Sequence, residues 1–243
     1  MNTQLLKTEF RLYFRDTAAV IFGLLLAPLI LVILGSIPSF RVANPDLGGR
    51  SVIGLYVPIM LIMALAMVAI SVAPVQLAVY RERGILRRLA TTPARPRDVL
   101  AAQTVVHGSV LLAGCVAVLA LGRLAFGVPL PRNGFAFAVA FLLCAVAVFG
   151  IGLLLSSVGA SKVVQGVGSA VFFPLMFFAG LWVPREAMPE SINSIGDFTP
   201  MGAGVQALQD ASTGHWPQIL HIGVLVGWSA LTWILAVRWF RWT

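Results

Sequence analysis

The chain has 243 residues, of which 59% are apolar and 11% are charged, and its mean hydropathy is +0.93. Soluble domains carry about 25% charged residues, so this composition excludes an ordinary water-soluble enzyme or binding domain and indicates a protein embedded in a bilayer. The formal net charge of +8 does not require nucleic acid, because the basic residues flank apolar runs and can be matched by anionic lipid headgroups or an acidic protein surface.

The N-terminal segment, residues 1–17, has the pattern of an amphipathic helix. Lys7, Arg11 and Arg15 recur every four residues, and the other face is apolar. The apolar residues are Leu6, Phe10, Tyr13 and Phe14. A helix of this kind lies flat in the headgroup region of a membrane. We therefore expect an interfacial helix, and a cytoplasmic extension of the first span is the alternative.

Six runs without Asp, Glu, Lys or Arg follow along the chain. Each is long enough to cross about 30 Å of hydrocarbon, which takes about 20 helical residues. The runs are Ala18–Phe40, Ser51–Tyr80, Val99–Gly122, Asn133–Ser161, Val163–Pro184 and Ala211–Val237. They are continuously apolar rather than alternating, which favours helices over strands. The sequence therefore predicts an all-α membrane protein with six transmembrane helices.

The connection between the second and third runs, residues 80–98, is the most basic part of the chain. Its arginines are Arg81, Arg83, Arg87, Arg88, Arg95 and Arg97. Ile85, Leu86 and Leu89 fall on one face of a helix, with arginines around that face. Gly84 indicates a bend before the face, and a Thr-Pro pair indicates its end. We predict a short amphipathic helix at the cytoplasmic surface that presents its apolar face to a partner.

The Lys and Arg residues indicate the orientation, because they are enriched in cytoplasmic loops. With the N-terminus inside, the inner segments contain Lys7, Arg11, Arg15, Arg81, Arg83, Arg87, Arg88, Arg95, Arg97, Lys162, Arg238 and Arg241. The outer segments contain Arg41, Arg50, Arg123, Arg132 and Arg185. The acidic residues divide almost evenly between the two sides, so the whole +8 excess lies inside. We expect both termini in the cytoplasm and the chain in the cytoplasmic membrane.

The segment between the fifth and sixth runs, residues 182–218, is long and contains four prolines. Apolar residues recur in it at helical spacing in two places. The first group is Ile192, Ile195 and Phe198, and the second is Val205 and Leu208. We predict two short helices that dip into the outer leaflet as an outer re-entrant segment.

Two energy sources are missing from the sequence. The runs contain no Asp or Glu, whereas ion-coupled carriers usually keep ionisable groups inside their spans. His107 is the one histidine well inside a run, and its role stays open. The chain also lacks a nucleotide-binding Gly-x-x-x-x-Gly-Lys-Ser/Thr loop. We expect it to bind no cofactor of its own, so any nucleotide chemistry comes from another polypeptide.

One enzyme class fits part of the pattern. Gly166-Val167-Gly168-Ser169 in the fifth run and His221 in the sixth imitate the serine and histidine of an intramembrane serine protease. A Ser–His pair makes a hydroxyl nucleophilic. However, Ala170 stands where a glycine belongs, and small residues more often let helices approach closely. The protease is therefore the weaker alternative.

Two segments have a distinctive order and spacing. One is Glu82-Arg83-Gly84-Ile85-Leu86-Arg87-Arg88-Leu89, followed by Thr92-Pro93. The other is Phe173-Pro174-Leu175-Met176-Phe177-Phe178-Ala179-Gly180-Leu181-Trp182-Val183-Pro184, followed by Met188-Pro189 and Thr199-Pro200. Across essentially its whole length, the chain resembles the membrane subunits of ABC-2 type exporters, especially drug-resistance permeases of the daunorubicin-exporter kind. Ala179 stands where many relatives have serine or another small residue.

The resemblance implies a half-transporter. Two six-span permease subunits, identical or paralogous, would face each other, and each would rest on an ATPase subunit that binds ATP and Mg. The segment after the second span would be the coupling helix, with apolar anchors that enter a groove on the ATPase. The residues implied in this coupling are Glu82, Arg83, Gly84, Ile85, Leu86, Arg87, Arg88 and Leu89. The alternative is that the arginines only set the topology and bind lipid phosphates.

The resemblance also implies a substrate path between the two subunits, built chiefly from spans one, two and five. On spans two and five we expect a soft, polarisable wall. Its residues are Met60, Met63, Met67, Phe173, Met176 and Phe177. For any single one of them, helix packing or lipid contact is the alternative. A wall without charge favours export of a hydrophobic or amphipathic compound, an antibiotic or a lipid, and a polysaccharide or glycolipid is the alternative cargo.

Overall fold

The described part of the chain is predominantly helical. The structure is a computed structural model that describes residues 3–47, 49–85 and 96–239. Besides the helices, the described residues form one small antiparallel hairpin, in which Ala43–Asn44 pairs with Arg50–Ser51. The prediction of an all-α protein is therefore confirmed.

Among the residues that the structure describes, six helices are long and apolar enough to cross a membrane. Numbered in chain order as spans 1 to 6, they are Thr17–Gly35, Val52–Glu82, Ala101–Phe126, Gly134–Ser156, Ser161–Phe178 and Ile219–Arg238. The helix that contains span 3 begins at Pro96, and the helix that contains span 6 ends at Trp239. The number of spans matches the sequence prediction, so the chain is a multi-pass membrane protein.

Shorter helices lie at the two ends of the bundle. The N-terminal helix is Thr3–Arg15, the first cap helix is Glu190–Asp197, and the second cap helix is Pro200–Thr213. The described residues also form a helical turn, Pro38–Arg41, and two 3-10 turns, Pro45–Leu47 and Arg185–Ala187. We call the end with the N-terminal helix and residues 83–85 and 157–160 the N-helix end. The opposite end, with residues 36–47, 127–133 and 179–218, is the cap end.

The start of span 6 differs from the apolar run that predicted it. The run begins at Ala211, but this residue belongs to the second cap helix, and span 6 begins at Ile219. Gly214 separates the two helices with a φ of +101°, a left-handed conformation that residues with a Cβ rarely adopt. Hydropathy alone does not show this turn, because the residues on both sides of it are uncharged.

Span 2 lies at the centre of the bundle. Of its most apolar window 89% is buried, against 28% for span 1 and 22% for each of spans 5 and 6. Its side chains supply most of the largest fully buried residues of the core, among them Met60, Leu61 and Leu65. Spans 1, 5 and 6 therefore keep broad apolar faces that lipid or another subunit has to cover.

Two π-helical turns interrupt the first two spans and pack against each other. They are Ile21–Leu25 in span 1 and Met67–Val72 in span 2. Glycines of two other spans contact the second turn, because Gly152 lies against the carbonyl of Ala69 and Gly168 against that of Ile70. Since π-helical turns recur at functional sites, this contact is a candidate mechanical joint inside the bundle.

Candidate functional site

The N-helix end connects the predicted coupling segment to span 5. Where span 2 ends, the Glu82 carboxylate accepts hydrogen bonds from the Ser161 backbone N–H at 2.7 Å and from its hydroxyl at 2.9 Å. The Arg81 guanidinium donates to the Gly159 carbonyl. The first N–H groups of a helix have no partner within the helix, so Glu82 caps span 5 from a distant part of the chain. A displacement of residues 81–82 therefore acts directly on the start of span 5.

Half of the predicted coupling residues fall within the described part of the chain. Glu82 and Arg83 are exposed, and Ile85 is half-buried. Gly84 has a φ of +64° directly after span 2 ends, so the chain turns where the glycine indicated a bend. Leu86, Arg87, Arg88 and Leu89 lie outside the described residues, so the helix proposed for them stays a prediction.

The N-terminal helix packs on spans 2 and 3 through two buried polar residues. The Glu9 carboxylate accepts a hydrogen bond of 2.9 Å from the Tyr80 hydroxyl near the end of span 2. The Tyr13 hydroxyl donates to the Ala19 carbonyl at 2.9 Å, and the Tyr13 ring meets His107 of span 3 edge-on at 5.8 Å between ring centroids. Leu6 and Phe10 pack beside this contact, while Lys7, Arg11 and Arg15 are exposed. The amphipathic pattern therefore matches the buried and exposed faces for these residues, but Phe14, which was predicted on the apolar face, is 57% exposed.

Burial controls the ionisation of both polar residues of this helix. Loss of solvent raises the pKa of Glu9 above its ordinary value of 4.5, and the hydrogen bond from Tyr80 opposes this effect. Burial, with a smaller contribution from the Asp16 charge, raises the pKa of Tyr13 to about 12. Tyr13 is therefore protonated at neutral pH and can donate its hydrogen bond.

Replacing Glu9 with Gln is expected to stabilise the protein at pH 8. A carboxyl with a raised pKa binds its proton more tightly in the folded state, so its contribution is favourable below pH 4.5 and is lost as pH rises through the folded-state pKa. Gln carries no charge and keeps an acceptor for Tyr80. The thermal unfolding midpoints of the two proteins in detergent should differ most at pH 8 and converge towards pH 5. A difference between the two unfolding midpoints that stays constant from pH 5 to pH 8 would contradict this explanation.

The predicted substrate-path residues divide between the core and the surface. Met60, Met63 and Met176 are fully buried within the chain. Met67 and Phe177 are half-buried, and Phe173 is 56% exposed. Span 2 is surrounded by other spans, which is why its methionines pack inside the bundle. Of the six residues, Phe173 is the one that presents most of its side chain to the surroundings.

An ionic cluster that the sequence did not reveal ties the cap end together. Arg185 is 3% exposed and forms an ion pair with Asp197, and its guanidinium also donates to the Asn193 carbonyl at 2.8 Å. His221 of span 6 lies 3.6 Å from the Asp197 carboxylate and 3.9 Å from that of Asp210. These residues have no regular spacing in the chain. The only sequence signal is the presence of charges in a largely apolar segment.

The serine and histidine of the protease alternative do not pair. The Ser169 hydroxyl donates to the Gln165 carbonyl at 3.0 Å within span 5. His221 faces the two carboxylates of the cap-end cluster. The geometry that would activate a serine nucleophile is therefore not formed by these two residues.

Comparison with known protein families identifies a match that covers most of the chain. The family model described as ABC-2 type transporter matches residues 2–212. The matched range includes the N-terminal helix, the segment after span 2 and most of the second cap helix. No curated protein matches the chain.

Proposed function

The chain belongs to the ABC-2 type transporter family, and from this membership we propose that it is the permease subunit of an ABC exporter. Its cargo is a hydrophobic or amphipathic compound, such as a drug, an antibiotic or a lipid, that leaves across the cytoplasmic membrane. A separate ATPase subunit binds ATP and Mg and supplies the energy. The permease itself performs no hydrolysis.

The contact between Glu82 and Ser161 is the observation that most directly supports the proposed mechanism. The coupling segment follows span 2, and its first residues are bound to the start of span 5 rather than projecting alone. The Glu9–Tyr80 hydrogen bond adds the N-terminal helix to the same assembly. A force on the coupling segment therefore reaches the central span, a peripheral span and the interfacial helix together.

The coupling segment acts as a lever in this proposal. Its apolar anchors, Ile85, Leu86 and Leu89, enter a groove on the ATPase, and its arginines orient the contact. When two ATPase subunits close on ATP, the segment moves as a rigid body. The movement is transmitted through spans 2 and 5 and changes the shape of the substrate path on the outer side of the membrane.

The orientation follows from charge. The N-helix end carries the coupling segment and most of the basic residues, so it faces the cytoplasm, and the cap end faces outward. Both termini are then cytoplasmic. An ATPase in the cytoplasm can reach only this end, which agrees with the position of the coupling segment.

A second six-span subunit covers the apolar faces of spans 1 and 5. Leu29 is 53% exposed and Ile33 is 56% exposed on span 1, and Phe173 is exposed on span 5. The Phe173 ring lies 6.0 Å from that of Trp182, which extends this aromatic surface towards the cap end. The substrate path lies between these faces of two subunits. Its apolar character fits a hydrophobic cargo better than a polysaccharide.

Leu86→Asp is expected to lower the affinity of the permease for the ATPase more than tenfold. Burial of a leucine side chain contributes about 1.5–3 kcal/mol, and 1.4 kcal/mol corresponds to a tenfold change in affinity. The measurement is the amount of ATPase that co-purifies with the permease, together with ATP-driven uptake of a fluorescent hydrophobic dye into inverted vesicles. Arg87→Glu should reduce both quantities, because it reverses a charge beside the anchors.

Arg238→Glu is the matched control. Arg238 is an exposed basic residue in the last turn of span 6 at the same end of the bundle, outside the coupling segment. This variant should keep the ATPase and the dye transport. Equal losses in Leu86→Asp and Arg238→Glu would indicate a general effect of negative charge, and unchanged retention of ATPase in Leu86→Asp would refute the docking role.

A further inference from the structure

A cavity of about 800 Å³ lies at the cap end of the chain. Its walls come from the small hairpin, the start of span 2, the connection between spans 3 and 4, and the second cap helix. Ligand pockets in proteins commonly measure about 300–1,000 Å³, so this cavity can hold a ligand of substantial size. None of the coupling residues that the structure describes, and no residue of spans 1 and 5, lines it.

The rim of the cavity carries an excess of positive charge. Arg41, Arg50 and Arg132 line it, and Asp210 is the acidic residue among the described side chains of the lining. The Asp210 carboxylate already accepts a hydrogen bond of 3.2 Å from the Gln218 backbone N–H and lies 3.9 Å from the His221 ring. The rim therefore favours an anionic group.

Two of these arginines differ in how firmly they are held. The Arg41 guanidinium lies 5.2 Å from the centre of the Phe126 ring, and its Nε donates to the Gly35 carbonyl. The Arg132 guanidinium makes no hydrogen bond or ion pair with any other described residue. A planar guanidinium with free donors matches the oxygens of a phosphate or carboxylate. Arg132 is therefore the residue best placed to bind an anion.

Gln209 supplies a second polar group at the same cavity. It lines the wall and is 6% exposed, and its amide makes no hydrogen bond with any other described residue. The amide atoms of Gln209 are not enclosed by protein atoms. The amide therefore reaches the cavity surface, where it can bind water or a polar group of a ligand.

The deeper part of the cavity is apolar. Val57, Pro58, Leu119 and Phe137 line it. Pro58 is six residues into span 2, and a helix rises 1.5 Å per residue, so this wall reaches about 9 Å below the start of the span. The cavity thus joins a cationic rim to an apolar interior at the depth where a membrane changes from headgroups to hydrocarbon.

We propose that this cavity binds an anionic phospholipid from the leaflet at the cap end. The phosphate lies between Arg132 and Gln209, and the upper part of the acyl chains lies against Pro58 and Phe137. The site belongs to the single chain and does not depend on the transport function. A free phosphate shares the headgroup chemistry but cannot use the apolar wall.

Native mass spectrometry of the purified full chain tests the site. The protein is titrated in detergent with phosphatidylglycerol, with phosphatidylcholine and with inorganic phosphate. Phosphatidylglycerol should bind at least tenfold more tightly than the other two. Arg132→Gln should weaken its binding on the order of tenfold, as expected for the loss of a charge-assisted hydrogen bond. Gln209→Leu should weaken it as well.

Arg123→Gln is the control, because Arg123 is an exposed arginine of span 3 near the same end and does not line the cavity. It should leave phosphatidylglycerol binding unchanged. Equal binding of the two lipids would overturn anionic recognition, and binding of inorganic phosphate as tight as that of phosphatidylglycerol would overturn a lipid ligand. Arg132→Gln with wild-type affinity would overturn the site, and this variant should fold, because Arg132 is exposed.

Discussion

Asp197→Asn is expected to lower the free energy of unfolding by about 3 kcal/mol, the lower end of the range for breaking a buried ion pair, because Asp197 itself is 30% exposed. Its partner Arg185 is almost fully buried, and the variant leaves that charge without compensation. For a chain of this size the thermal midpoint in detergent should fall by about 6–12 °C. The shift is measured by the temperature at which the purified protein loses its monodisperse elution peak.

Two further variants distinguish the loss of the Arg185–Asp197 ion pair from the general effect of removing a carboxylate. Glu190 is an exposed carboxylate in the same cap helix, so Glu190→Gln should change the midpoint by less than about 2 °C. Arg185→Met combined with Asp197→Asn removes both charges and should lose less stability than the two single losses added together. A midpoint for Asp197→Asn equal to that of Glu190→Gln would show that the pair does not hold the cap.

The chain packs closely around Arg185. This close packing explains why the charge of Arg185 depends on Asp197 for compensation. Gly196 and Gly202 both lie against the guanidinium, and a Cβ at Gly202 would also overlap the Gly196 carbonyl. Side chains at these positions would displace the arginine. The two cap helices therefore form a fixed unit, and the Trp228 indole N–H, which donates to the Phe198 carbonyl at 2.8 Å, attaches this unit to span 6.

The sequence was sufficient to predict the number of spans but not the start of span 6 or the arrangement of the spans. Hydropathy identifies a helix that can cross a membrane because lipid penalises every unpaired backbone group. It does not say which face or which span is inside, since lipid and protein interior are similarly apolar. Spans 1 and 2 have mean hydropathies of 2.8 and 2.5. However, 28% of the most apolar window of span 1 is buried, against 89% for span 2. The position of Met60 and Met63 in the core follows from this difference.

The candidate coupling site was predictable only in part for a related reason. The apolar face of residues 85–89 and its arginines are a local pattern that a helical projection reveals. The contact from Glu82 to Ser161 joins residues 79 positions apart, and Glu9 to Tyr80 joins residues 71 apart. Such pairs depend on how the spans pack, so no local pattern predicts them. The same holds for the ionic cluster at the cap end.

Gly152→Ala is expected to destabilise the protein by about 3 kcal/mol. A Cβ at this position would overlap the carbonyl oxygen of Ala69 in the π-helical turn of span 2. Backbone atoms cannot rotate away as a side chain can, so spans 2 and 4 would have to separate, and overpacking of this kind costs about 1–3 kcal/mol or more. The thermal midpoint should fall by about 6–12 °C.

Gly166→Ala is the matched control for this variant. Gly166 lies within span 5, and no neighbouring atom lies within 4 Å of a Cβ built there. The exchange should therefore be neutral or stabilise the helix by up to about 1 kcal/mol. If Gly152→Ala also keeps the wild-type midpoint, the π-helical turn is compliant and cannot act as a stiff joint. If Gly152→Ala loses stability while Gly166→Ala does not, span 4 packs rigidly against span 2. This contact lies between the Glu82–Ser161 contact at the N-helix end and the cap end. A movement at one end of span 2 can then be transmitted through the bundle to the other end.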